Sequence, residues 1–348
     1  MLKTRGRDVN TRFITVMNQK GGVGKTTLTV NLGAALARGG KEVLLVDLDP
    51  QANLSIHLNV PINELPCSIY DVLVGQKELA EVVLSRLRTR LSLAPANIDL
   101  SGAEVELVNA VGRETLLRDA LIPYLREHPC DFILFDCPPS LGILSLNALA
   151  ASKEVFIPIQ TEFFALQGLA KLLGVIELIT KRLNRDLRLS RVIPTLYDTR
   201  TVLSKEVLAD IRAHFGDMVT NTKIRKNVRL AEAPSHGKTI FEYDAASTGS
   251  EDFSALAEEI SGRKSKSPPR RRAARKGRAA QAATPPAEPC AAPETAPGNG
   301  GRAASLKAQN LVFLKRRHKN GRAAPVRLVR RRMRRVLARG AAARAVRA

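Results

Sequence analysis

Tryptophan is absent from the chain, and phenylalanine and tyrosine bring the aromatic fraction to only 4%. Proteins that hold nucleic acid by stacking its bases need a platform of rings, so any nucleic-acid contact here is expected to run through phosphates. Cysteine is scarce as well. The four cysteines (Cys67, Cys130, Cys137, Cys290) form no C-x-x-C pair and have no histidines at metal spacing. That pattern argues against a disulfide framework or a zinc site and points to a reducing cytosol. No apolar run reaches the roughly 18 residues needed to span a bilayer, and the N-terminus lacks the apolar core of a signal peptide. The expectation is a soluble, cytoplasmic protein.

Acidic residues are almost missing from the C-terminal quarter. From residue 261 onward there are 25 Lys+Arg against two acids, Glu288 and Glu294, a net of +23. That leaves 30 basic and 31 acidic residues in the first 260, so the overall charge of +22 describes a tail and not the globular part. The tail's Ala/Arg/Pro/Gly composition cannot bury a core, and 261–348 is expected to be mostly disordered. Within it, Val326, Val329, Met333, Val336 and Leu337 recur at helical spacing among arginines. This predicts a basic amphipathic helix over 326–338, suited to nucleic acid, a membrane surface or a partner. Residues 1–11 are polar, basic and aperiodic, as in a flexible arm.

Residues 12–260 have room for a substantial core. Apolar strands are predicted at 13–17, 42–48, 91–94, 131–136, 154–159, 189–196 and 218–224. Helical spacing covers 26–38, 68–74, 79–87, 113–127, 144–151, 164–183, 202–215 and 250–260, with Pro123 able to kink one of these. Alternating strands and helices imply right-handed crossovers: an α/β fold with a mostly parallel, doubly wound sheet and helices on both faces. Ligands of such sheets sit at the C-terminal strand ends.

What stands at those ends carries chemistry. After the first strand comes QKGGVGKTT, residues 19–27. A glycine loop that opens a helix lets backbone N–H groups crowd round a phosphate at the positive end of the helix dipole. The spacing fits the P-loop pattern except at its first glycine, where Gln19 stands, followed by an extra lysine, Lys20. Gly21, Gly22, Val23 and Gly24 would form the cradle with Thr27. Lys25 would reach the β/γ-phosphates and Thr26 would offer its hydroxyl to Mg²⁺. Asp136 ends an apolar strand, as a Mg²⁺-holding acid does, with a helix-capping role as the rival reading. Asp47 and Asp49 point the same way if their strand continues. One could then join the metal shell while the other orients the attacking water, and a turn or capping role competes for either.

The blocks KGGVGKTT (20–27), DLDPQAN (47–53), FDCPPSLGILSLNAL (135–149), PIQTEFFALQGL (158–169) and NVRLAEAPSHGK (227–238) resemble, in order, the ParA/Soj chromosome-partitioning ATPases of the deviant Walker A class. The resemblance covers about residues 12–260. It implies an ATP- and Mg²⁺-dependent ATPase, a P-loop NTPase fold and an ATP-sandwich homodimer in which Lys20 reaches the partner's nucleotide. It also implies roles: Lys25 as the cis lysine, Thr26 and Asp136 at the metal, Asp49 activating water, Asp47 supporting the switch, and Asn227 contacting the base. A proline common two residues before that asparagine is here Arg225. Arg200 and Arg229 match residues that contact DNA without sequence preference, and Lys223, Arg225 and Lys226 would enlarge that patch. A ParB-like centromere-binding partner and a nucleoid-associated location follow. The alternative is a MinD-like membrane-cycling ATPase using the 326–338 helix; the DLDPQAN and NVRLAEAPSHGK blocks speak against it, so membrane attachment is not the expectation. A reductase resembling the nitrogenase iron protein would need cluster-ligating cysteines that Cys130 and Cys137 are too close together to supply.

Overall fold

The computed structural model describes residues 10–162 and 169–262. The tail from 263, the helix expected over 326–338, and residues 1–9 of the arm lie outside the described residues. The chain opens with β1 (Arg12–Val16), α1 (Lys25–Arg38), β2 (Val43–Asp47), α2 (Asn53–His57), α3 (Ile69–Leu73) and α4 (Leu79–Val82). It goes on through β3 (Leu84–Arg88), β4 (Leu91–Ala94), α5 (Leu100–Glu106), α6 (Leu116–Glu127), β5 (Phe132–Asp136), α7 (Ile143–Ala151) and β6 (Glu154–Gln160). Last come α8 (Leu169–Arg182), β7 (Arg188–Thr195), α9 (Val202–Phe215), α10 (Val228–Glu232), α11 (Ile240–Tyr243) and α12 (Thr248–Ser261).

The strands form one sheet in the order β3-β4-β2-β5-β1-β6-β7, parallel except for the β3–β4 pair. The central strands are apolar throughout because both faces are covered. Val43, Leu45, Phe132 and Leu134 join Ile14 and Val16 against Leu28, Leu32 and Leu36 of α1 and Phe253, Leu256 and Ile260 of α12. Their alternates Leu44, Val46, Ile133 and Phe135 face the opposite layer, with Leu117 and Leu121 of α6, Leu144 and Leu149 of α7, and Leu172 and Ile176 of α8. Helix α1 lies so close to the sheet that a Cβ on Gly33 would stand 2.7 Å from Leu45 Cδ2. A side chain at Gly33 would have to displace the methyl end of Leu45.

Two sequence expectations change. Residues 79–87 are not one helix: α4 stops at Val82, and Leu84-Ser-Arg-Leu-Arg becomes the antiparallel edge strand β3. Its arginines and the left-handed backbone at Arg86 (φ 53°) make a poor template for further strand pairing, as a sheet edge requires. Residues 218–224 form no strand of the sheet; they run beside β7 through a bridge between Val219 and Val192 and backbone hydrogen bonds such as Ile224 N–H to the Pro194 carbonyl (2.8 Å). Pro123, by contrast, is accommodated inside α6, which runs on to Glu127.

The register places the chemistry. Val16, the last residue of β1, pairs with Asp136, the last of β5, and Asp136 pairs with Asp47, the last of β2. Three strand ends thus meet at one edge of the sheet, and the glycine loop leaves from the middle one of the β5-β1-β6 trio.

Candidate active site

Helix α1 begins with no side-chain cap and no acidic residue in its first turn; Gly24 takes the N-cap position in the left-handed region (φ 86°). Only glycine enters that region without strain. A Cβ added at Gly21, Gly22 or Gly24 would meet nothing within 4 Å, so the loop is open around all three. Lys25 is 8% exposed, yet among the described residues its ammonium has no ion pair or hydrogen bond. An uncapped helix start, an open loop and a buried lysine whose ammonium makes no ion pair or hydrogen bond among the described residues are what an anion would complete. Thr27, in the same first turn, turns its carbonyl to Asn31 Nδ2 (2.9 Å).

Lys20 behaves differently. Its side chain is 45% exposed, and its Nζ donates to Glu162 (2.7 Å) and to Gln160 Oε1 (2.8 Å). Its backbone N–H donates to Asn18 Oδ1, and Asn18 Nδ2 donates to the Pro158 carbonyl, which ties the front of the loop to β6.

The three aspartates divide in role. Asp136 is buried: its Oδ2 accepts from Thr26 Oγ1 (2.6 Å) and its Oδ1 from Thr29 Oγ1 (3.2 Å). Burial, reinforced by the charge of Asp47, pushes its carboxyl up to about 8, against the pull of the Thr26 hydroxyl and the Lys25 ammonium. Asp47 is buried too, and its oxygens are engaged: Oδ2 accepts from Ser55 N (3.0 Å) and Oγ (2.7 Å), Oδ1 from Asp49 N (3.2 Å). Burial raises it to about 6, with the Ser55 bonds opposing. Strand β2 ends at Asp47, so Asp49 does not continue a pleat; it turns, its own Oδ1 accepting from Gln51 N (3.0 Å). Asp47 thus braces α2 and the turn, while Asp49 keeps carboxylate capacity to spare.

An acid held above its unfolded pKa contributes stability at low pH that is lost as pH rises toward the folded value. His57, buried and pushed down to about 4 mainly by desolvation, acts in the opposite sense below its ordinary 6.5. Between pH 6.5 and about 8 the Asp136 effect therefore stands largely alone. Thermal unfolding of the nucleotide-free protein should show a falling melting temperature across that window, and Asp136→Asn should flatten the fall. Equal slopes for the two proteins would refute it.

The basic residues gather on one flank. A parallel bridge joins Tyr197 to Arg225 and lays the loop after β7 beside residues 223–229. Arg200, 83% exposed, pairs with Asp198 (2.9 Å), and Arg229 pairs with Glu232 (2.9 Å) and Asp244 (3.4 Å). Lys226 is exposed, and Lys223 Nζ lies 5.2 Å from the Tyr197 ring centroid. Arg225 is half-buried and leans toward α12. Its guanidinium meets the nearly buried Asp252 (2.6 Å) and also Glu251, because a carboxylate on the packed helix α12 needs a counter-charge. Asn227 caps α10 by accepting from Arg229 N (2.7 Å), and its Nδ2 donates to Thr248 (2.8 Å).

A family model described as AAA domain matches residues 11–189. Over 249 residues the chain is 46% identical to the sporulation initiation inhibitor protein Soj of Bacillus subtilis, covering 72% of this chain and 98% of Soj. It is 45% identical to the chromosome partitioning protein ParA of Caulobacter vibrioides, covering 72% and 93%. The chain belongs to the ParA/Soj family. Among solved structures, a cobyrinic acid a,c-diamide synthase from Mycobacterium smegmatis with an ATP analogue and magnesium is 38% identical (TM-score 0.63; 72% and 94% covered). The septum site-determining protein MinD of Pyrococcus horikoshii with Mg-ADP is 27% identical (TM-score 0.58; 72% and 96% covered). The P-loop NTPase fold expected from the sequence is therefore the fold found, and this ParA/Soj chain is an ATPase that uses ATP and Mg²⁺.

The residues fit both groups. The open glycine loop and Lys25 suit a triphosphate. Among the described residues no three His, Cys, Asp or Glu side chains form a metal cage. Mg²⁺ needs none, since it keeps several waters and binds through one or two protein oxygens plus phosphates. Thr26 Oγ1 and Asp136, already in contact, would supply them. Sequence reasoning about this ParA/Soj chain missed Thr29, Ser55, Gln160 and Thr195, uncharged polar residues whose partners lie elsewhere in the fold. A polar residue closing an apolar strand was the one available signal, for Gln160 and Thr195.

Proposed function

We propose that this protein is a DNA-segregation ATPase whose ATP-bound sandwich dimer binds DNA without sequence preference, and that a ParB-like partner stimulates hydrolysis and release. The observation that carries the reading is the pair of lysines at one loop. Lys25 is buried and serves the phosphates of its own site. Lys20 is held at the surface by an exposed glutamate and a glutamine, within reach of a second copy. Asp49 orients the attacking water, Asp47 fixes the turn that carries Asp49, and Thr26 with Asp136 holds the metal. Asn227 stiffens the wall next to the base. Arg200, Arg229, Lys223 and Lys226 face DNA phosphates, whereas Arg225 braces α12. The names of the curated relatives support chromosome partitioning, with a cytoplasmic, nucleoid-associated location.

Dimerisation makes DNA binding depend on ATP because each neutralised phosphate steepens the affinity, with a salt slope of about −0.9 per contact. The test titrates DNA with and without ATP at several salt concentrations. Arg200→Glu and Arg229→Glu should each weaken ATP-dependent binding at least about tenfold and lower the slope. Arg225→Ala should leave the slope intact and lower the melting temperature instead. A likeness to MinD keeps lipid as a defined alternative outcome: among the described residues no helix is long and apolar enough to cross a membrane. ATP-dependent sedimentation with liposomes and no DNA binding would overturn the proposal.

A further inference from the structure

Two side chains from neighbouring strands take hold of successive carbonyls in the glycine loop. Gln160, the last residue of β6, donates from Nε2 to the Gly22 carbonyl (3.0 Å). Thr195, the buried last residue of β7, donates from Oγ1 to the Val23 carbonyl (2.8 Å). In a trans peptide the carbonyl of one residue and the N–H of the next point in opposite directions. Drawing the Gly22 carbonyl toward Gln160 turns the Val23 N–H away from it. Drawing the Val23 carbonyl toward Thr195 does the same for the Gly24 N–H. Among the described residues neither N–H meets an acceptor within the chain.

A loop carbonyl left free to rotate would place a negative dipole where phosphate oxygens must sit. We propose that Gln160 and Thr195 are positioning residues that pin these two carbonyls outward and so preset the Val23 and Gly24 N–H groups for phosphate; the inference rests on the nucleotide-binding reading of the loop. Donors fixed before the ligand arrives need no reorganisation on binding, and that raises their effect. Gln160 adds a second tie. Its Oε1 accepts from Lys20 Nζ (2.8 Å), so one amide spans the loop's exposed lysine and its second glycine. Only an amide can do both, because a carboxylate would still accept from Lys20 but could not donate to Gly22.

The experiment measures Mg-ADP affinity of the full chain by calorimetry, beside the melting temperature without nucleotide. Thr195→Val keeps the shape and removes the hydroxyl; Thr195→Ser keeps the hydroxyl; Gln160→Glu keeps only the Lys20 tie. Thr195→Val and Gln160→Glu should each bind Mg-ADP about tenfold more weakly. Thr195→Ser should stay within about twofold of wild type and keep its nucleotide-free melting temperature, whereas Thr195→Val, which leaves the buried Val23 carbonyl unpaired, should also melt a few degrees lower. Should Thr195→Val not fold, Gln160→Glu, at a half-exposed site, carries the test. Affinities of both variants within about twofold of wild type overturn the inference while leaving the nucleotide reading standing. Failure of the wild type to bind Mg-ADP overturns both.

Discussion

Lys25→Met should weaken Mg-nucleotide binding by about 10²–10³-fold while leaving the nucleotide-free protein at least as stable as wild type. The two halves of this result come from one fact, the absence of any ion pair or hydrogen bond to this ammonium among the described residues. When phosphate is bound, removing one member of a desolvated charge pair costs about 2–5 kcal/mol, which is the loss of affinity expected. Without nucleotide, the nearest candidate counter-charge is Asp136. Burial raises that carboxyl well above the usual carboxylate range, which disfavours its charged form and weakens its attraction for the lysine. A methionine of similar length fills the stem's place without an uncompensated charge, which explains why stability should hold. Calorimetric titration with Mg-ADP and a melting curve of the free protein check both halves. A large drop in melting temperature with unchanged affinity would identify Lys25 as a structural cation and end its assignment to the phosphates.

Much of this site was legible before the structure because its parts are local. A hydrophobic strand, a glycine loop and an uncapped helix are consecutive in the chain, and Asp136 declares itself by closing an apolar run with a charge. Legibility stopped wherever a residue's role depends on which strands become neighbours. Gln160 and Thr195 act on the glycine loop only because β6 and β7 follow β1 in the sheet, across separations of 138 and 172 residues. Asp47 and Asp49 were read as pointing the same way along a continuing strand. The strand ends at Asp47, the turn before Pro50 bends the Asp49 N–H back onto the Asp47 carboxylate, and Ser55 takes the other oxygen. Arg225 sits in a basic run and reads as part of a DNA patch. Its guanidinium is claimed by Asp252, 27 residues on, a pairing set by where α12 packs. Strand β3 was taken for helix because its edge position, which tolerates polar and left-handed residues, has no strong pattern of its own.

Lys20→Ala should leave Mg-nucleotide affinity of the monomer within a few-fold of wild type and reduce ATP hydrolysis by about 10³-fold or more, the range of a transition-state cation supplied in trans. The lysine's contacts within its own chain do not oppose the transfer. Its partners are Glu162, itself exposed, and Gln160, and exposed pairs of this kind contribute about 0–1 kcal/mol. Releasing Lys20 to a neighbouring subunit therefore costs little against the stabilisation of a triphosphate's developing charge. The same arithmetic predicts a companion result. Glu162→Gln, which loosens the cis pair, should leave the hydrolysis rate unchanged or raise it, and should not mimic Lys20→Ala. Single-turnover hydrolysis, measured beside equilibrium nucleotide binding over a range of protein concentrations, distinguishes these outcomes. If Lys20→Ala hydrolyses ATP at the wild-type rate, or loses nucleotide binding in parallel with hydrolysis, the second lysine serves its own loop and the site is complete within one chain. A concentration-dependent rate in wild type that vanishes in Lys20→Ala, with binding intact, is the result that a site finished by a second copy requires.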